Sequence, residues 1–383
     1  SMIYSSNRTY SKNRIDDVIS EETVWANEAN ARRQKAEGIK KVATTIFMIS
    51  IVIVDFFLLK KTMEVRKEAD SKEKIKPTQE LEYFRELPRE NATPAQSIYV
   101  YNEKLDSVST KQMGNIFSAT LLDLCLKKYI EFVENPNDKK NIIIKILIRT
   151  ADASLEETEK TIHTYILRAS KGSEEVTIKE MEKYMKEHAS GLMKLKSSIE
   201  NSCVKELENK ELYDGEAAKE KNDYNASSIF DFVMVLVICF ILVGVSPFLL
   251  AYINLKILLI GIASLLILFA FRGFTWKNYA KKINVYTQKG IDEKQMWRGL
   301  KKYMEDFSML DKREIPEIAI WEHFLVYATA FGIADKVIKQ LKAVYRELGR
   351  SFDFDDSSYG YMYFMTNNNF SSSFTNSISS AFT

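Results

Sequence analysis

Few residues in this chain are of the types and spacing that do chemistry. The three histidines, His163, His188 and His323, fall on separate predicted helices without metal-ligand spacing. Glu322 and His323 put an acid beside a base, but neighbours on a helix diverge by roughly 100° and do not face each other. Cys125, Cys203 and Cys239 form neither a metal pattern nor a disulfide framework, which fits reducing surroundings. No Walker-type glycine loop, GxGxxG, HExxH or GxSxG occurs. The Asp and Glu residues between 154 and 222 alternate with Lys at helical spacing, as on a solvated face. These residues nominate no catalytic set, cofactor or metal, so the expectation is a protein that is not an enzyme.

The polar group in the most costly setting is Asp55, inside the apolar stretch VATTIFMISIVIVDFFLL. An ionisable side chain within hydrocarbon is a candidate functional position. Asp55 also lies about one turn from Lys60, and an interfacial place is the stronger explanation of it. The stretch spans 42–59, between Lys40-Lys41 and Lys60-Lys61, and reads as a transmembrane helix. A second apolar run, Ile229 to Phe274, is too long for one crossing and suits two, 229–250 and 255–273, with Asn254 and Lys256 at the turn. Ser246-Pro247 is the other place for a turn, although proline is tolerated late in a membrane helix. The short loop carries only Lys256, whereas Arg272, Lys277, Lys281 and Lys282 follow the last span. The positive-inside rule then puts the loop outside, residues 62–228 and 275–383 in the cytoplasm, and the N-terminus outside.

These spans need soluble elements around them, because 28% of the residues are charged and the mean hydropathy is negative. The net charge of +2 gives no global reason to expect nucleic acid. Residues 1–41 read as a tail and stalk helix, with Ser20 as its N-cap and the helix running through the first span to about Val65. Ser1-Met2 looks like a cloning remnant ahead of a chain that starts partway into a longer protein. Residues 60–80 are charged and read as a linker. Within 81–228, Thr93 caps a helix opening at Pro94. A helix over about Asn115–Lys127 is followed by strands at Tyr129–Val133 and Ile142–Ile148, joined by NPNDKKN. Helix, strand, turn, strand is a winged-helix pattern, with the wing tip at Asp138 to Asn141. Ser154 with Glu157, and Thr177 with Glu180, read as capping boxes for the next two helices, the second of them long.

A winged helix raises the question of DNA. Its candidate recognition helix offers Asn115 and Ser118, then Asp123, and no cation before Lys127. So little positive charge makes nucleic acid an unfavoured partner. Residues 275–350 read as helical. Met296, Leu300, Tyr303 and Met304 share one face, and Ile320, Phe324, Tyr327 and Ala328 another. Pro316 opens the second of these helices and Gly332 ends it. Trp297, Trp321 and Tyr327 are candidate core anchors or protein-contact residues. The tail 351–383, rich in Ser, Asn, Phe and Tyr, has aspartates but no Lys or Arg after Arg350.

Three stretches in order carry a family resemblance. They are ISEETVWANEANARR before the first span, ELPRENATPAQ with FSATLLDLCLKKYIEF after it, and Trp297–Asp306 with IPEIAIWEHFLVYATAFGIADKV after the hairpin. Over roughly 19–345 the chain resembles the bacterial predicted membrane proteins called domain of unknown function 2207 (YciQ-type). The resemblance implies a β-rich extracytoplasmic domain ahead of the first span, mostly lacking here. It implies no catalytic residue. Many members end in a Gly/Ser-rich tail, from which this one departs.

The expected fold class is therefore a mainly α membrane protein. It has three transmembrane helices, one plus a hairpin, a cytoplasmic α+β winged-helix-like domain and a cytoplasmic helical domain. The expected role is a bacterial membrane-anchored scaffold or signalling protein acting through protein contacts. Its partners are then membrane lipid and other proteins, including itself as a homo-oligomer. A membrane-tethered regulator with a nucleic-acid-binding winged helix, or a transporter component, is the alternative.

Overall fold

The computed structural model describes residues 14–102, 108–138, 141–307 and 318–347, with 376, 378 and 380 in the tail. Lys139 and Lys140 of the expected wing tip, Pro316 and nearly all of the tail from Ser351 lie outside the described residues. In chain order the elements are α1 (Arg14–Ser71), α2 (Pro94–Tyr101), α3 (Thr110–Leu126), β1 (Ile130–Val133) and β2 (Ile143–Ile146). Then come α4 (Glu157–Ala169), β3 (Glu175–Thr177), α5 (Ile178–Glu187), α6 (Ala189–Asn209) and α7 (Gly215–Tyr252). The last four are α8 (Leu255–Lys282), α9 (Gln288–Asp306), α10 (Ile318–Ala330) and α11 (Ala334–Glu347). They form two units: 1–74 with 216–283, and 75–215 with 284–383.

The first unit is built on α1, α7 and α8, three helices long and apolar enough to cross a membrane. Their apolar windows are largely exposed, as helices meant for a hydrocarbon solvent should be. The covered positions of α1 recur at alternating steps of four and three: Ile51, Asp55, Leu58, Thr62, Val65 and Ala69. That period is a coiled-coil seam. The seam continues past Lys60, so α1 stays helical to Ser71 where charge density alone reads as linker. Ser20 is not a cap; it lies inside α1 and its hydroxyl donates to the Asp17 carbonyl at 2.8 Å.

Helices α1 and α8 run parallel. Thr44 accepts from the Asn254 N–H at the start of α8 (3.1 Å), while Lys282 at its end donates to the Ala69 carbonyl (2.7 Å). Between these points Gly261 admits the Phe47 ring, which an added Cβ would approach to 2.9 Å. Helix α7 passes through Ser246-Pro247 unbroken, and the turn falls at Ile253–Asn254, where Asn254 caps α8. Ser228 of α7 donates to the Gly273 carbonyl at 2.8 Å. Next to it Asp231, fully buried, accepts from Arg272 Nε and Nη2 at 2.9 and 2.8 Å. A bidentate pair of this kind lets both charges sit against apolar helices.

In the second unit α3 is the central element. Every residue from Met113 to Cys125 is buried, including Asn115 and Ser118. The β1–β2 hairpin follows it as expected, with Ile130 opposite Ile146 and Phe132 opposite Ile144. A third strand, β3, pairs antiparallel with β2. Ile130, Phe132, Ile144, Ile146 and Val176 form the buried face of this three-stranded sheet, in the alternation a half-covered antiparallel sheet requires.

Thr93 and Thr177 cap α2 and α5 with full capping boxes. Ser154 does not cap α4. That helix starts later, with Glu156 as N-cap, and Ser154 instead joins Tyr129 and Asp152 in a local turn. The long helix expected after Thr177 is broken at His188 into α5 and α6. Ile320 is exposed and Met296 only half-buried; the covered stripe of α9 is instead Glu293, Trp297, Leu300, Tyr303 and Met304. Gly332 ends α10 in left-handed backbone, φ +72°.

Candidate functional site

Buried charged groups of the second unit fall into two clusters, and the longer of them is a polar chain. It begins at Trp297 on α9, whose indole N–H donates to Glu293 Oε1 at 3.1 Å. Arg89, in the irregular segment before α2, donates from Nη2 to the same Glu293 oxygen (3.2 Å) and to Gln96 Oε1 (2.8 Å). Gln96 on α2 then uses its amide nitrogen to donate to Glu206 Oε2 at 2.6 Å. This arrangement fixes which end of the Gln96 amide points which way, since Arg only donates and a carboxylate accepts. Glu206 on α6 also accepts from the Thr158 N–H (2.7 Å) and hydroxyl (3.2 Å) in the first turn of α4. A carboxylate there satisfies an orphan amide and meets the positive end of the helix. Burial pushes the Glu206 pKa up against the lowering effect of these bonds.

A second cluster sits where α3 meets α4. Lys127 forms ion pairs with Asp123 (3.1 Å) and with Glu159. Glu159 has no exposed side-chain surface, and its other oxygen accepts from the Glu156 N–H at 2.8 Å. The two partners' shifts run against simple pairing, because both Lys127 and Glu159 are raised. Burial is the largest effect on Glu159, and a hydrogen bond to the Asp123 carboxyl adds to it. Lys127 opposes both and does not overcome them. The direction for Glu159 is therefore upward, as expected when two carboxyls compete for one cation out of water. For Lys127, burial works downward and the two carboxyls outweigh it.

Tyr327 on α10 lies within the field of both clusters. Its hydroxyl donates to the Ala92 carbonyl at 2.7 Å, and its ring meets Trp297 at 4.9 Å between centroids. Burial raises its pKa far beyond the usual phenol range, and Asp123 and Glu159 add to this.

Of the residues singled out in the sequence, Trp297 and Tyr327 come together here. Trp321 belongs to a separate aromatic cluster with Phe307, Tyr303 and Phe324. All three are buried. Asp55 lies in the other unit, on the α1 seam, half-buried and with its Oδ1 buried and without a hydrogen-bond partner. The histidines stay apart. His163 is buried against the Ile148 carbonyl, and His188 stacks on Tyr184. No group of three metal-ligating side chains occurs among the described residues.

Arg89, Gln96, Glu206 and Glu293 were not singled out in the sequence. They are separated by up to about 200 positions, and no motif spacing links them. The available signal was weaker: Glu293 and Trp297 are i and i+4 on an amphipathic helix. The chemistry of the chain is that of a structural lock. It binds elements before and after the α7–α8 hairpin with groups that have little access to solvent.

A family model described as the predicted membrane protein (DUF2207) C-terminal domain matches residues 80–341. The chain belongs to this family. The matched span takes in both halves of the polar chain and the intervening hairpin. It also agrees with the resemblance carried by the sequence blocks around α2–α3 and α9–α10. No curated protein and no solved structure matches the chain.

Proposed function

We propose that this member of the family is a membrane-anchored scaffold or signalling protein whose second unit acts through protein contacts. The observation that carries the reading is how the chain's three connections between its units are tied. Within the first unit, Lys72 pairs with Glu220 (3.0 Å), Tyr279 contacts Glu68 and Glu220 (2.6 and 2.8 Å), and Lys282 holds Ala69. Within the second, the Ile75 N–H donates to Asn284 (3.3 Å) and the Asp214 N–H to the Val285 carbonyl (2.9 Å). Each unit thus gathers its own ends of the same three connections, a construction suited to passing displacement rather than to housing a reaction.

The burial of α3 supports protein over nucleic acid as partner. A recognition helix must offer a face to a groove, and Asn115 and Ser118 are covered. By the positive-inside argument the second unit is cytoplasmic and the Asn254 turn external.

The test uses the full chain in cells, with single cysteines introduced at Asn254→Cys or Asp138→Cys in a background lacking Cys239. A membrane-impermeant thiol reagent should label position 254 in intact cells and position 138 only after lysis. The reverse pattern overturns the orientation. Photocrosslinkers on exposed α5 positions should yield discrete adducts, including self-adducts if the chain is a homo-oligomer. Steeply salt-dependent DNA binding by the purified protein would instead favour the regulator reading.

A further inference from the structure

Cations gather at one end of the α1–α8 pair. Lys60, Lys61, Arg66 and Lys67 follow the apolar window of α1, and Lys277 and Lys281 follow that of α8. All six are exposed. The parallel packing puts them at matching heights, since the Arg66 guanidinium lies 5.9 Å from the Phe271 ring and Glu68 bonds Tyr279. Nearby acids are mostly engaged: Glu68 with Tyr279, Asp70 with Lys282, and Glu220 with Lys72. Glu64, also exposed, is the one acid among the six in sequence.

What lies next to the cations identifies the ligand class. Phe57, Ile267 and Phe274 are 65%, 67% and 71% exposed on the same helices, continuous with the apolar windows. A soluble anion would use the cations and leave this apolar surface uncovered. An amphiphile with an anionic head and apolar chains covers both.

We propose that this end of the α1–α8 pair binds the headgroup of an anionic phospholipid whose acyl chains lie along the adjoining apolar faces. The cations act together, because surface Lys and Arg next to an anionic leaflet each strengthen attachment and the effect fades over a Debye length. Arg66 adds a planar, multi-donor group suited to phosphate.

The experiment uses the purified full chain in neutral detergent, titrated with phosphatidylglycerol or phosphatidylcholine. Bound lipid is counted by native mass spectrometry and stability is followed by thermal melting. Phosphatidylglycerol should add discrete bound lipid and raise the melting temperature, with phosphatidylcholine much weaker. Replacing Arg66→Gln, Lys277→Gln and Lys281→Gln together should weaken phosphatidylglycerol by about fivefold per charge at low salt. Arg32→Gln, Arg33→Gln and Lys35→Gln, well ahead of the α1 window, should leave it near wild type. Lys277→Arg with Lys281→Arg should retain binding, which guards against misreading a folding defect. Equal binding of both lipids overturns the proposal, as does equal loss in both triple variants. Competition by soluble glycerophosphate at the same affinity would also overturn it, by assigning the cations to a free anion.

Discussion

Lys128 and Glu211 hold left-handed backbone, φ 59° each, one residue beyond the caps of α3 and α6. Both close a Schellman turn: Tyr129 N–H reaches the Leu124 carbonyl, and Leu212 N–H reaches that of Leu207. Glycine is the usual residue there, because a Cβ in this region costs about 1 kcal/mol. Gly332 was legible as a helix stop for that reason, and a lysine or glutamate in the same role carries no such mark. Glu211→Gly should therefore stabilise the protein by about 1 kcal/mol, read as a raised melting temperature. Glu159 supplies a pH dependence at the same scale. Its folded pKa is raised, so its contribution is fully present below its ordinary value near 4.5 and is lost as pH rises through the folded value. Stability should fall from mildly acidic pH into the neutral range, and Glu159→Gln should flatten that part of the profile. Burial lowers His163 and His323, which work in the opposite sense, so the difference between the two profiles is the measurement.

Elements were legible where composition or a cap speaks locally. The three spanning helices follow from apolar length, and Thr93 and Thr177 mark helix starts because their hydroxyls can meet the third amide. Strand β3 is only three residues long, and it exists because β2 has an open edge for Val176 to face. No local pattern announces such a strand. The α1 extension from Val65 to Ser71 was hidden for a different reason. Its sequence RKEADS is mostly charged, and the single covered position there, Ala69, is too little to mark an apolar face. The Asp231–Arg272 pair tests how α7 and α8 hold together. Removing one partner leaves a buried charge, so Asp231→Asn should cost about 3 kcal/mol or more, seen as earlier aggregation on heating in detergent. The exchanged pair, Asp231→Arg with Arg272→Asp, should recover part of the loss. Recovery equal to Asp231→Asn alone would show that the two side chains do not depend on each other.

At the scale of the molecule, each unit is assembled from pieces on both sides of the Asn254 turn. Arg89 and Gln96 come from before it, and Glu293, Trp297 and Tyr327 from after. A protease site inserted at Asn254 and cut should therefore leave residues 1–254 and 255–383 bound to each other in detergent, measured by co-purification of the two fragments. Separation without denaturant would contradict the packing described for both units. Helix α1 adds a last consequence. Its 58 residues make a rod about 87 Å long, and Trp25, 78% exposed, stands about 25 Å beyond the apolar window. Such a rod is a ruler. It fixes the stand-off between Trp25 and the apolar window, and the helix is continuous from Trp25 to Ala69.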